Sequence, residues 1–201
     1  MDRRTLGATL CIAFLGSRLL DLVVTYRFSP GLDREANPLV SWLGAGWGEL
    51  LVLQFLMSLA VVACTVRWAA GPLDGPVADQ GDDVWSYSSR NWFGVALPRS
   101  VFVLRLSYSV PRPLTRFFHL AGFVAPSLIA VMSLLSIAHW YLLLDGAVPW
   151  FEQFYRASFP VYPYLVPCFP FYVLFVLMYF ARERRDREEL ARKSGTVAPG
   201  L

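Results

Sequence analysis

Charge is what this chain has least of. Only 16% of its 201 residues are Asp, Glu, Lys or Arg, against 56% hydrophobic residues, whereas soluble domains average roughly 25% charged. So little charge excludes a surface solvated on all sides. Apolar runs long enough to cross a bilayer instead put much of the surface against lipid. Histidine is scarcer still, at two residues, and no H-E-x-x-H, G-x-S-x-G or clustered-His pattern is present. The three cysteines, Cys11, Cys64 and Cys168, are an odd set without C-x-x-C spacing, each within an apolar stretch; they say nothing about redox compartment and suit buried packing residues. The net charge of +3 is small and unevenly placed, so it argues against a nucleic-acid partner and reports membrane orientation.

What is there reads as an all-α membrane protein, a four-span helical bundle with a long cytoplasmic middle loop. The expected spans are about 6–28, 49–68, 117–144 and 160–180, with a loop over 69–116 and a basic cytoplasmic tail over 182–201. Span one is expected to be retained: Leu10 is too large for the position before a lipoprotein cysteine, and the apolar run continues past Cys11 to Phe28. It stops at Ser29, Pro30 and Gly31. Span two is apolar except for Gln54 and Ser58, four apart on one face, with Trp42, Trp47 and Trp68 as interfacial anchors.

The middle loop opens with Asp74, Asp79, Asp82 and Asp83 and then mixes aromatics, arginines and prolines. Alternation through Phe93, Val95, Leu97, Val101 and Val103 suggests a short strand over 101–106 and a small hairpin at the membrane surface, its arginines reaching lipid headgroups. A partner-binding loop is the competing reading. Span three contains Pro126, with His119 near its start, read as interfacial beside Arg116, and His139 near its end. In span four Pro160, Pro163, Pro167 and Pro170 argue against a regular helix, because each removes a backbone donor. The tail is helix-favouring at first and carries no chemistry of its own.

Lys and Arg concentrate in the amino terminus, the middle loop and the tail, while the other two loops carry only Arg27, Arg34 and Arg156. The positive-inside rule then places both termini in the cytoplasm of a plasma (inner) membrane protein, with the 29–48 and 145–158 loops outside. This topology brings polar residues to one layer. Asp21, His139 and Gln54 lie roughly 6 to 10 Å below the outer boundary at about 1.5 Å per residue, and Glu35 and Asn37 approach from the loop above.

Arg18, Asp21 and Thr25 share a helical face, and Asp21 is one turn from Arg18. A charge inside a span costs about 2.5 to 3.5 kcal/mol and usually faces a protein interior or cavity. One reading of the layer is a ligand-binding pocket of Arg18, Asp21, Thr25, Glu35, Asn37, Gln54 and His139. Asp21, Glu35 and His139 would be its candidate metal ligands or acid–base groups, and a divalent metal its candidate cofactor. The other reading is structural: an Arg18–Asp21 pair that pins helices, a turn at Asn37 and Pro38, and an interfacial anchor at His139.

Asp21 and Thr25 in a first span, followed by E-A-N-P-L over Glu35 to Leu39, resemble a family of small bacterial and archaeal membrane proteins without an assigned activity. The resemblance covers the first two spans. It implies that Asp21, Glu35, Asn37 and Pro38 act as one unit and implies no substrate. The expected role is that of an accessory or binding protein, in contact with membrane lipid and with a membrane-protein partner or a second copy of itself. The alternatives are a membrane-embedded enzyme acting on a lipid or lipid-linked substrate and a component of an ion or small-molecule transporter.

Overall fold

The computed structural model describes residues 1–32, 40, 44–71, 83–106, 109, 114–144 and 165–193. Every regular element among them is an α-helix: α1 Arg3–Phe28, α2 Trp47–Ala70, α3 Val84–Phe93, α4 Arg99–Leu106, α5 Leu114–Leu144 and α6 Leu165–Lys193. Local chemistry sets several of the ends. Asp2 caps α1 by accepting the Thr5 N–H at 2.7 Å, and the helix closes where the Ser29 N–H reaches the Thr25 carbonyl at 2.8 Å, just before Pro30. At the start of α2 the Glu49 carboxylate accepts the Gly46 N–H at 3.0 Å, and Gly71 ends the helix by donating to the Arg67 carbonyl at 2.8 Å.

The inward seam of α1 repeats every seven residues through Gly7, Phe14, Asp21 and Phe28, of which the first three are buried and Phe28 is half-buried. Asp21 therefore occupies a core position between aromatic neighbours in the repeat, not a lipid-facing one. On α2 the seam runs through Leu50, Gln54, Ser58, Val61, Thr65 and Trp68, with Gln54 and Ser58 half-buried between fully exposed neighbours. The expectation that these two polar residues share one face is met.

The long helix α5 lies at the centre, packed against α1, α2 and α6, while α1 also meets α2, and α3 meets α6. Contacts of Arg18 with Ser133 and of Phe28 with Trp140 make α1 and α5 parallel. Contacts of Tyr26 with Trp47 and of Gly7 with Ala69 make α2 antiparallel to α1. Gly122 brings α5 against the α2 backbone at the Cys64 carbonyl, an approach no side chain would permit. Outward faces are apolar: Ile12, Leu19, Phe55, Leu59, Leu134 and Leu174 are all exposed. Three helices, over Arg3–Phe28, Trp47–Ala70 and Arg116–Leu142, are long and apolar enough to cross a membrane. The apolar half of the fourth expected span begins outside the described residues.

Two expectations change. The 84–106 region forms two helices and no hairpin. Asp83 caps α3 by accepting the Ser86 N–H at 2.7 Å, and Gly94, at φ 79°, ends it in the left-handed region that favours glycine. Phe102 of α4 then packs edge-on against Trp85 and Phe93, at 6.0 and 5.9 Å between ring centres. The Ser89 hydroxyl donates to the Val95 carbonyl and accepts the Leu97 N–H, both at 2.8 Å, closing the connection. With Trp68, Tyr87, Trp92, Leu120, Phe123, Val176, Tyr179 and Phe180, these residues form the main apolar core, at the end of the bundle that carries the amino terminus.

The helix-favouring start of the tail is helical, as expected, and continuous with the span: α6 runs without a break from Leu165 to Lys193, so the first twelve residues of the tail continue it. Arg182 with Asp186, Glu183 with Arg187, and Arg184 with Glu188, each four apart, support it. The second change is that Pro167 and Pro170 lie within that helix. Pro167 falls in the first turn, where its missing N–H would have no helical partner, so Pro170 alone removes a helical bond. Pro160 and Pro163 lie outside the described residues. His119, at the level where α2 ends, is buried, 6% exposed, against Gly71.

Candidate functional site

The polar layer of the bundle is built on the parallel pair α1 and α5. Because Asp21 sits in the heptad seam, its carboxylate points at α5 and is 7% exposed. Arg18, one turn earlier, follows the same seam and places one guanidinium nitrogen 2.6 Å from Asp21 Oδ2 and 3.0 Å from the Ser133 hydroxyl. A single nitrogen thus joins both residues of α1 to α5. The Ser136 hydroxyl lies beside the same carboxylate. Asp21 Oδ1 is buried and has no hydrogen bond of good geometry among the described residues.

The register set by Arg18 with Ser133 and Phe28 with Trp140 places Thr25 level with His139, one helical turn above Asp21 and Ser136. Thr25 is 6% exposed and His139 4%. The imidazole stands edge-on to Trp140 at 6.3 Å, and Trp140 stacks on Phe28 at 6.1 Å, which closes the layer on the side of the helix ends. Gln54, on the seam of antiparallel α2, lies near the same level. Five of the seven expected ligand-binding residues, Arg18, Asp21, Thr25, Gln54 and His139, are therefore on inward seams at neighbouring heights. Glu35 and Asn37, with the rest of the E-A-N-P-L segment that carries the family resemblance, lie outside the described residues.

No protein family, curated protein or solved structure matches this chain. Ser133 and Ser136, which complete the layer, were not among the expected site residues. Their signal was available: Ser133, Ser136 and His139 recur every three residues in the otherwise apolar stretch Leu128 to Trp140. Among the described residues no three His, Cys, Asp or Glu side chains gather as a metal set. A metal here would need Asp21 and His139 together with a donor such as Glu35.

A second polar cluster serves to join elements. Glu183 and Arg187, both buried, pair at 2.8 Å inside α6, and Arg116 of α5 donates to the Asn91 carbonyl of α3 at 2.9 Å. Tyr87 packs among them, and burial, reinforced by the nearby Glu183 carboxylate, pushes its hydroxyl up to about 12. Arg3 fixes the start of α1 to the end of α2, donating to the Trp68 and Gly71 carbonyls and lying over the Trp68 ring at 5.3 Å.

Proposed function

We propose that this chain is a four-span plasma (inner) membrane protein with both termini in the cytoplasm, acting as an accessory or binding component. Its outward-facing polar layer would receive a hydrogen-bond donor or a cation from a ligand or partner. The observation that carries this reading is the half-engaged carboxylate of Asp21. Oδ2 is held by Arg18, while Oδ1 is buried and has no hydrogen bond of good geometry among the described residues, with only the Ser136 hydroxyl beside the carboxylate, and a buried acceptor poorly satisfied costs up to about 1 to 3 kcal/mol. A group that donates to Oδ1 recovers that energy on binding.

The fourth span is supported by the way α6 packs along α5 while turning Phe169, Phe171, Leu174 and Met178 outward. Cytoplasmic termini are supported by the arginines at the start of α1 and along α6. The binding test is cross-linked capture from membranes in mild detergent, comparing the wild type with Asp21→Asn. Partners lost selectively from the variant support the reading, and an empty capture with the wild type counts against it. The topology test uses single cysteines introduced at the exposed Gly31 and Val95 after Cys11, Cys64 and Cys168 are replaced by alanine, and a membrane-impermeant thiol reagent applied from outside should label only the first.

One observation favours a second reading, a metal-assisted enzyme acting on a lipid-linked substrate: Asp21 and His139 are buried one turn apart on facing seams. Elemental analysis decides between the two. Near-stoichiometric metal that is lost in Asp21→Asn, Glu35→Gln and His139→Ala moves the enzyme ahead, and metal-free wild-type protein removes it.

A further inference from the structure

An open cleft of about 420 Å³ lies at the opposite end of the bundle, between the start of α1 and the charged half of α6. Arginines and carboxylates line it in equal number, but most are already engaged with the protein. Asp186 is held by Arg182 at 2.9 Å and approached by Arg3 at 4.0 Å. Arg3 also serves the end of α2, Arg182 donates to the Met1 carbonyl at 2.8 Å, and Asp2 caps α1. Among the described residues, the exposed charges left without a protein partner are Arg4 on one wall and Glu189 on the other. Both are exposed, and among the described residues neither side chain makes an ion pair or hydrogen bond.

The level of the cleft matters as much as its charge. Arg3 touches the Gly71 carbonyl, one residue beyond α2, and the apolar run of α1 starts only at Leu6. The cleft therefore lies where the apolar faces of both helices end, which in a bilayer is the headgroup layer. Leu190 adds an apolar patch to the wall. A purely anionic headgroup would satisfy Arg4 but meet Glu189 as a like charge, and a quaternary ammonium would offer Glu189 no N–H.

We propose that this cleft binds a zwitterionic phospholipid headgroup with a primary ammonium, phosphate on Arg4 and ammonium on Glu189. The proposal rests on membrane residence and is independent of the polar layer at Asp21. The protein is purified in mild detergent and offered equal amounts of phosphatidylethanolamine, phosphatidylglycerol and phosphatidylcholine, and retained lipid is read by native mass spectrometry.

Phosphatidylethanolamine should be retained in preference. Arg4→Gln should weaken its retention about tenfold, as expected for loss of one charge-assisted bond to phosphate. Glu189→Gln should erase the preference over phosphatidylglycerol while leaving total phospholipid retention in place. Equal retention of the three lipids, preference for phosphatidylglycerol, or variants that behave as wild type would overturn the proposal. Glycerophosphoethanolamine binding as tightly as the whole lipid would overturn the lipid source and point to a soluble ligand. Membrane residence is read separately, from pelleting with membranes after alkaline carbonate washing, so failure of the headgroup site and failure of the membrane reading are told apart.

Discussion

Removing either member of the Arg18–Asp21 pair should cost far more stability than removing both. At 2.6 Å and an effective dielectric constant of about 20, the pair's gross attraction is about 6 kcal/mol. Desolvation of the two groups offsets much of it, and breaking one side of a buried pair costs about 3 to 5 kcal/mol because the surviving charge is left unpaired. Ser133 does not rescue the guanidinium, since a single hydrogen bond between membrane helices contributes only about 0.6 kcal/mol. Asp21→Asn and Arg18→Met should therefore each destabilise the bundle by about 3 kcal/mol. The double variant Arg18→Met, Asp21→Leu, which completes an apolar seam, should return to within about 1 kcal/mol of wild type. Reversible unfolding in mixed micelles, run as a double-mutant cycle, measures this. Additivity within about 0.5 kcal/mol would refute the argument and show that water, not protein, surrounds the pair. The double variant also separates two roles: if it is stable yet captures no partner, the pair serves binding as well as packing.

Three further outcomes follow from the packing. Gly122→Ala would push a methyl group into the Cys64 carbonyl and should destabilise the α2–α5 contact by about 1 to 3 kcal/mol, whereas Gly16→Ala, with nothing within 4 Å, should be neutral or mildly stabilising in the same unfolding assay. Ser89→Ala removes both hydrogen bonds that close the α3–α4 connection and should cost about 1 to 3 kcal/mol, seen as faster amide exchange over 95–106 with α1 and α2 unchanged. The Ser86 N–H holds the Asp83 carboxyl below its ordinary range, so the cap contributes stability above the usual carboxylate pKa and loses it as pH falls through the lower folded value. Asp83→Asn keeps a cap but should remove that acid dependence of α3 exchange.

The first three spans were legible because a long apolar run needs no partner to be recognised, and the i, i+3 spacing of Arg18 and Asp21 already announced their contact. Ser133 was not legible as their partner, since its place depends on the register between two helices 115 residues apart in sequence. The helices α3 and α4 were misread because short runs such as Val101 to Val103 alternate like a strand. Yet Asp83 and Gly94, which bracket α3 as cap and left-handed stop, were in plain view. Burial of Phe102 and Leu106, one turn apart, decides α4, and only the aromatic neighbours on α3 make that burial possible. Pro167 misled for a positional reason: a proline counts against a helix interior but not against its first turn.

The continuity of α6 has a mechanical consequence. Its 29 residues form a rod about 44 Å long, with Cys168 buried near one end and Glu183 and Arg187 locked into the α3 cluster toward the other. No glycine interrupts the rod, and its one interior proline lies near the far end. The α3–α4 cap and the flank of α5, the helix that also holds Ser133, Ser136 and His139, are thus both packed against one uninterrupted helix. The cap and the helix that carries the polar layer therefore share one rigid strut.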